Sequence, residues 1–552
     1  MQVSKILNRR TFLRTTGLGT AGLLAKIGVA PIAAKEPRTN TIADFLEIAL
    51  QATAFELPLL PGTWTRVWGY KGSVLYGDPA SLQTIQEPPR NYPVRFSNRA
   101  NLQAPPRPAR PPYSYLGPII KVRRGQRVRI NFTNNLPEQT VMHWHGLHIA
   151  PEMDAHPSFL VAPGQNYVYE FEVANRAGTY WFHPHPDGRT GRQVYNGLAG
   201  LFVVSDDEEA AASLPAGNFD IPLVIQDRII DANNQFVYQA GGGQTGGMMG
   251  NDGFLGDRIL VNGRPDFTLD VARRAYRLRL LNGSNSRVYK LVWDDGTPLT
   301  VIGTDGGLLE RAVQRNYVML APGERVELWV DFSGRESGAM MQLRSLQFSG
   351  AEMGMGMGGN QMLPNGAPFT VMNVRVVGRA GEPTPPPTQL STINRYRMED
   401  TVNRNAPRSF AVSMGTGGMM GGGMRWLLNG RPYQEAEVAT NEIVRLNTTE
   451  VWELINNSTG GMMGMSMVHP IHIHGLQFQV IERQIASQMT AGYETVRYGY
   501  VDEGWKDTVM MMPGERIRLL LRFEDFTGKY VYHCHNLEHE DAGMMRNYLV
   551  RA

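Results

Sequence analysis

The chain has 552 residues, too many for one hydrophobic core, so three or four domains are expected. Hydrophobic residues make up 42% and charged residues 19%, a globular balance, and 60 Gly with 35 Pro indicate many turns. A net charge of +3 without a dense Lys/Arg stripe argues against nucleic acid as a partner, and a single cysteine excludes an internal disulfide.

In chain order, residues 1–35 read as a targeting segment. Asn8-Arg9-Arg10-Thr11-Phe12-Leu13-Arg14 precedes a mildly apolar run from Gly17 to Ala34. Lys26 and Pro31 interrupt that run, which is too short and too polar for a stable membrane span. It resembles a twin-arginine export signal, with small residues near Ala33-Ala34 for cleavage. The twin-arginine translocase is then a partner, and the location periplasmic or, alternatively, secreted.

Beyond residue 35 the pattern is all-β. Short Val/Ile/Tyr/Phe-rich runs are broken by Gly, Pro, Asn and Asp, and Tyr167 to Val173 and Arg325 to Asp331 alternate cleanly. Three echoes recur at sandwich-sized intervals. The first is Ala162-Pro163-Gly164-Gln165, Ala321-Pro322-Gly323-Glu324 and Met512-Pro513-Gly514-Glu515. The second is Leu260 to Pro265 against Leu427 to Pro432. The third is Arg129-Ile130-Asn131, Arg279 to Asn282 and Arg445-Leu446-Asn447. Three related β-sandwiches follow, expected at 36–206, 207–380 and 389–552, with a Pro-rich semi-rigid linker at 381–388. Arg107 to Pro112 carries no functional reading.

Ten of the twelve histidines fall in four clusters: His143 and His145; His183 and His185; His469, His472 and His474; His533, His535 and His539. The only cysteine, Cys534, lies inside the last. In a strand alternate residues share a face, so each His-x-His can aim two imidazoles at one site. That is more nitrogen than one zinc site uses. No histidine lies between His185 and His469, so a shared site must join the first and third sandwiches, with the middle one as spacer. His148 and His156 read as hydrogen-bonded loop residues.

These motifs, with Trp181-Phe182-His183-Pro184-His185, Gly191-Arg192-Gln193-Val194, Gly504-Trp505-Lys506-Asp507-Thr508 and Leu537 to Met545, resemble the multicopper oxidase family over essentially the whole mature chain. The nearest resemblance is to periplasmic cuprous (copper efflux) oxidases, with laccases and bilirubin oxidases as relatives. It implies three consecutive cupredoxin-like Greek-key β-sandwich domains and four copper ions. A thiolate, two imidazoles and a weak thioether make a blue-copper (type 1) site; here that means Cys534, His469 and His539, and the resemblance implies Met544 as the thioether, with Met545 the neighbouring alternative. The resemblance further assigns His143 and His472 to the type 2 copper. His145, His183 and His535 fall to one type 3 copper, and His185, His474 and His533 to the other. Glu540 and Asp154 are the implied proton-carrying carboxylates for reduction of O2 to water.

Methionine usage points to the substrate. Many of the 28 lie in four Gly-rich islands: Met248-Met249; Met353, Met355 and Met357; Met414 to Met424; and Met462, Met463, Met465 and Met467. Thioethers are soft ligands that favour Cu(I), and the last island runs almost directly into His469. One departure stands out: copper efflux oxidases place an acidic residue just before the equivalent of His469, where this chain has Met465, Ser466 and Met467. The expected activity is Cu(I) oxidation coupled to four-electron O2 reduction, in copper detoxification. The alternatives are laccase- or bilirubin-oxidase-like oxidation of phenols or tetrapyrroles, and a non-enzymatic copper-sequestering protein.

Overall fold

The computed structural model describes residues 44–85, 114–238, 253–350, 363–417, 422–457 and 467–552. The export-like segment, the stretch Arg107 to Pro112 and most of the methionine islands lie outside these residues. Strands dominate, as the alternation predicts. In the strand Phe45–Leu57, for example, Leu46, Ile48, Leu50 and Ala52 are buried while most of their neighbours face outward.

The strands form three consecutive cupredoxin-like Greek-key β-sandwiches, each from two sheets. The first closes over Leu46, Ile130, Trp144, Phe182 and Phe202. The second packs around Leu278, Leu291, Trp293 and Leu328. The third packs around Phe410, Trp452, Ile471, Leu519 and Tyr532. Each repeats one pairing: a parallel pair whose second strand then pairs antiparallel with the strand after a Pro-Gly turn. The parallel pairs are Phe45–Leu57 with Arg127–Asn135, Asp220–Arg228 with Ala275–Asn282, and Arg408–Gly417 with Thr448–Asn456.

The Pro-Gly echo marks equivalent turns, because Gly164, Gly323 and Gly514 all take left-handed φ values of 76°, 84° and 70°. The third echo is corrected. Arg129 and Arg279 lie on equivalent strands, but Arg445 ends the separate strand Ile443–Arg445, and Leu446-Asn447 form the turn entering Thr448–Asn456, with Asn447 at φ 60°. The third-sandwich counterpart of Asn134 and Asn282 is Asn456, which ends its own strand. Among the described residues no helix is long and apolar enough to cross a membrane.

Candidate metal centre

Two strand pairs position the ligands. In the first sandwich Met142–His145 pairs antiparallel with Gly178–Pro184, setting His143 opposite His183. Trp144 points the other way into the core, against Tyr169 and Phe182. In the third sandwich His469–Ile473 pairs with Gly528–Cys534, setting Ile471 opposite Cys534 and His472 opposite His533. Alternation therefore sends His469 and Cys534 to one face and His472, His474 and His533 to the other.

On the first face Cys534 Sγ lies 3.6 Å from both His469 Nδ1 and His539 Nδ1, and those two nitrogens are 3.2 Å apart. All three residues are fully buried. The short helix Leu537–Asp541, capped by the Asn536 side chain, swings His539 into place. Met544 is fully buried in the same cluster as Cys534, and its carbonyl accepts the Cys534 N–H at 3.0 Å. Trp426 walls the triad, with its ring 4.8 Å from His469 and 4.5 Å from His539.

On the other face the first and third sandwiches meet through ring nitrogens. His143 Nε2 faces His472 Nε2 at 3.3 Å. His533 Nε2 faces His185 Nε2 at 3.1 Å and His474 Nε2 at 3.0 Å. His145 Nδ1 faces His183 Nε2 at 3.4 Å. The His535 ring completes this last group at centroid distances of 5.0 Å from His145 and 5.3 Å from His183, and among the described residues its Nε2 has no hydrogen-bond partner.

Where both rings keep their proton on the far nitrogen, such contacts are not hydrogen bonds. His143 Nδ1 donates to the Asp154 carbonyl at 2.9 Å, and His472 Nδ1 to the Asp507 carbonyl at 2.8 Å. A carbonyl only accepts, so both Nδ1 atoms carry the proton and both Nε2 atoms are lone pairs. His533 Nδ1 likewise donates to the Cys534 carbonyl at 3.1 Å, and His183 Nδ1 to the Pro184 carbonyl at 2.9 Å. Lone pairs facing across such distances repel unless a cation lies between them. Metal–nitrogen bonds of about 2.0–2.1 Å at tetrahedral angles separate ligand nitrogens by about 3.3 Å, so the groups fit metal ions.

Electrostatics favour the ligating forms. Burial, reinforced by neighbouring rings, holds His145, His183, His472 and His474 well below the usual imidazole range. Burial takes His469 and His535 down to about 3. Neutral imidazole is the form that binds metal. Burial pushes the Cys534 thiol up, so metal must displace its proton.

Both sequence-predicted carboxylates are at the centre. Glu540 Oε2 lies 3.1 Å from His533 Nδ1. Burial raises its pKa, but the His185 and His533 rings outweigh this and hold it at about 2. Asp154 Oδ2 accepts from His474 Nδ1 at 2.8 Å, and burial shifts this carboxyl upward. The remaining histidines are loop residues as expected. His148 bonds the Gly475 carbonyl and Asp525, and His156 bonds Asn547 and Ser158.

Sequence reading missed Asp507, whose Oδ1 lies 3.0 Å from His145 Nε2. It also cast the middle sandwich as a spacer, and that is corrected. Gly323 of that sandwich packs directly on His535, where a Cβ would come within 2.9 Å of the ring. Arg325, read as part of a half-exposed strand, is 1% exposed and pairs with Asp507. The usable signal was the motif Trp505-Lys506-Asp507-Thr508, whose charges make little sense in an otherwise buried strand. Of the methionines named for substrate, Met353, Met355, Met357, Met462, Met463 and Met465 lie outside the described residues. Met467 is described, and it is buried in the third core rather than presented to solvent.

Two family models, both described as multicopper oxidase, match residues 113–209 and 383–552. A multicopper oxidase of Staphylococcus aureus is 31% identical over 430 residues, covering 78% of this chain and 81% of that one. The chain belongs to the multicopper oxidase family. A laccase of Bacillus subtilis strain 168 is 30% identical over 472 residues, covering 78% of the oxidase and 87% of the laccase. The crystal structure of a McoA multicopper oxidase variant from Aquifex aeolicus superposes with a TM-score of 0.71 at 31% identity, covering 93% and 97% of the two chains. Copper is thus the metal that the histidine groups of this oxidase hold, and the protein is an oxidoreductase with O2 as acceptor. A role limited to copper sequestration is set aside by that membership.

Proposed function

We propose that the oxidase takes electrons from Cu(I) and passes them to O2, so that four Cu(I), one O2 and four protons give four Cu(II) and two waters. The observation that carries this reading is the position of the described residues next to the methionine islands. On either side of island residues 458–466, the Asn456 amide donates to the Met467 carbonyl at 2.9 Å, two residues before His469. The paired strands Arg408–Gly417 and Gly422–Leu428 flank island residues 418–421 in sequence, and Trp426 of this pair packs on His469 and His539. Phe348, three residues before island residues 351–362, shares a buried cluster with Val468. The described residues that flank three thioether-rich segments therefore lie around one ligand triad, and soft thioethers suit cuprous ion.

In this reading Cys534, His469, His539 and Met544 hold the type 1 copper, and His143 with His472 the type 2 copper. His145, His183 and His535, and His185, His474 and His533, hold the type 3 pair. Bound copper supplies one-electron redox chemistry and the reduction of O2. The protein supplies geometry: consecutive residues Cys534 and His533 connect the two groups through a single peptide, while Glu540 and Asp154 sit in contact with ligand rings, where they can move protons. We place the domain limits at 36–206, 207–380 and 389–552, and the work in copper detoxification in the periplasm after twin-arginine export. The laccase name of the Bacillus subtilis relative favours a second reading, oxidation of phenols in a cleft that the islands cover.

Steady-state turnover of Cu(I) and of a phenol, with and without the islands, separates the two. Deletion of 353–357 and 462–465 is expected to abolish Cu(I) oxidation and to spare or raise phenol oxidation. Unchanged Cu(I) turnover after deletion would overturn the cuprous reading.

A further inference from the structure

The middle sandwich contributes no histidine, yet Arg325 from its strand Arg325–Asp331 reaches the centre, and every donor of its guanidinium is used. Nε donates to the Thr179 carbonyl of the first sandwich at 2.9 Å. Nη1 donates to the Gly323 carbonyl at 3.0 Å and to Asp507 Oδ1 at 2.7 Å. Nη2 donates to the Asp305 carbonyl at 2.9 Å and to Asp507 Oδ2 at 2.6 Å. One side chain thereby joins all three sandwiches, and its two-pronged grip on Asp507 fixes that carboxylate in orientation as well as position.

Asp507 in turn addresses two ligands in opposite senses. Its carbonyl takes the Nδ1 proton of His472, which frees Nε2 of that ring. Its carboxylate Oδ1 lies 3.0 Å from His145 Nε2, whose Nδ1 points at His183 Nε2. His145 must therefore keep its proton on Nε2 if Nδ1 is to ligate. A second observation marks how tightly the pair is fitted. Gly146, beside the ligand, has φ 87°, and a Cβ there would lie 2.4 Å from Asp507 Oδ2 and 2.8 Å from Arg325 Nη2.

We propose that Arg325 is a positioning residue for the trinuclear copper group: it aims the Asp507 carboxylate so that His145 keeps the tautomer that ligates through Nδ1. The inference rests on the ligand assignment above. Groups that orient a metal-bound imidazole through its other nitrogen typically change metal affinity by about 10–100-fold. The middle sandwich then acts on the chemistry rather than holding its neighbours apart.

The test is copper titration of full-length Arg325→Met, Arg325→Lys and Gly146→Ala, reading total copper per chain and the visible thiolate-to-copper band. The band reports the Cys534 copper alone, so it also reports folding of the third sandwich. Each variant is expected to keep the band at wild-type intensity while binding the other three coppers about 10–100-fold more weakly. In histidine-labelled metal-free protein, 15N NMR should find the His145 proton on Nε2 in the wild type and redistributed in Arg325→Lys. Unchanged trinuclear affinity, or equal loss of the band and of the other coppers, would overturn the proposal. If Arg325→Met fails to fold, Arg325→Lys decides, since it keeps the charge and loses only the fork. Wild-type protein that binds fewer than four coppers would instead defeat the ligand assignment, before any variant is consulted.

Discussion

His533 and Cys534 are consecutive on one strand, yet their side chains enter different ligand groups: Cys534 Sγ is 3.6 Å from His469 Nδ1, whereas His533 Nε2 is 3.0 Å from His474 Nε2. The separation follows from the period-two alternation of a strand, and it makes the two groups removable one at a time. Cys534→Ser is expected to lose the visible band and reduce turnover to background while retaining three coppers. His533→Ala is expected to keep the band and lose trinuclear copper. Copper content with absorption spectra checks both, and loss of all four ions in either variant would contradict the division.

Among the described residues Glu540 touches the rings of His185 and His533 and pairs with no Arg or Lys, which suits proton delivery better than structural pairing. Glu540→Gln should preserve four coppers and lower kcat for O2 consumption by about 10²–10⁴-fold, the usual contribution of a positioned acid–base group. Wild-type kcat with full copper would show that the protons travel elsewhere.

Gly323 combines a left-handed backbone with contact on His535. Gly323→Ala forces a Cβ into that ring and pays the left-handed penalty, so urea unfolding should show a loss of about 1 kcal/mol or more. Trinuclear copper should fall while the visible band persists. A variant as stable as the parent would contradict the packing described here.

His156 is buried and bonded to Asn547, and burial brings its pKa down to about 4 from an ordinary value near 6.5. The folded state thus keeps this ring neutral where the unfolded chain would protonate it. Its contribution is present above pH 6.5 and lost as pH falls toward 4, by at most about 3 kcal/mol. Denaturant unfolding of metal-free wild type and His156→Gln across pH 7.5 to 4.5 checks the sign. The variant should lose less stability on acidification, and a parallel decline would exclude His156 as a source.

Much of this centre was legible because metal chemistry restricts residue types. A scarce side chain gathered into His-x-His pairs declares the candidate ligand clusters and, through alternation, the face each residue takes. The Pro-Gly echoes declared the repeat because only a left-handed turn residue fits there. Arg325 was illegible for the opposite reason: at the start of an alternating strand an arginine normally marks a solvent face, and Arg516, at the matching point of the third repeat, is indeed exposed. Only the packing of three sandwiches around one carboxylate turns Arg325 inward. Asp507 was hidden likewise, since its partners lie 182 and 362 positions away in sequence. Arg445-Leu446-Asn447 misled because a three-residue echo does not record strand register.

The most direct measurement is copper per chain in purified, copper-loaded protein, taken with its visible spectrum. Four ions and an intense thiolate-to-copper band are the predicted result. A colourless preparation, or one saturating below four, would contradict the account.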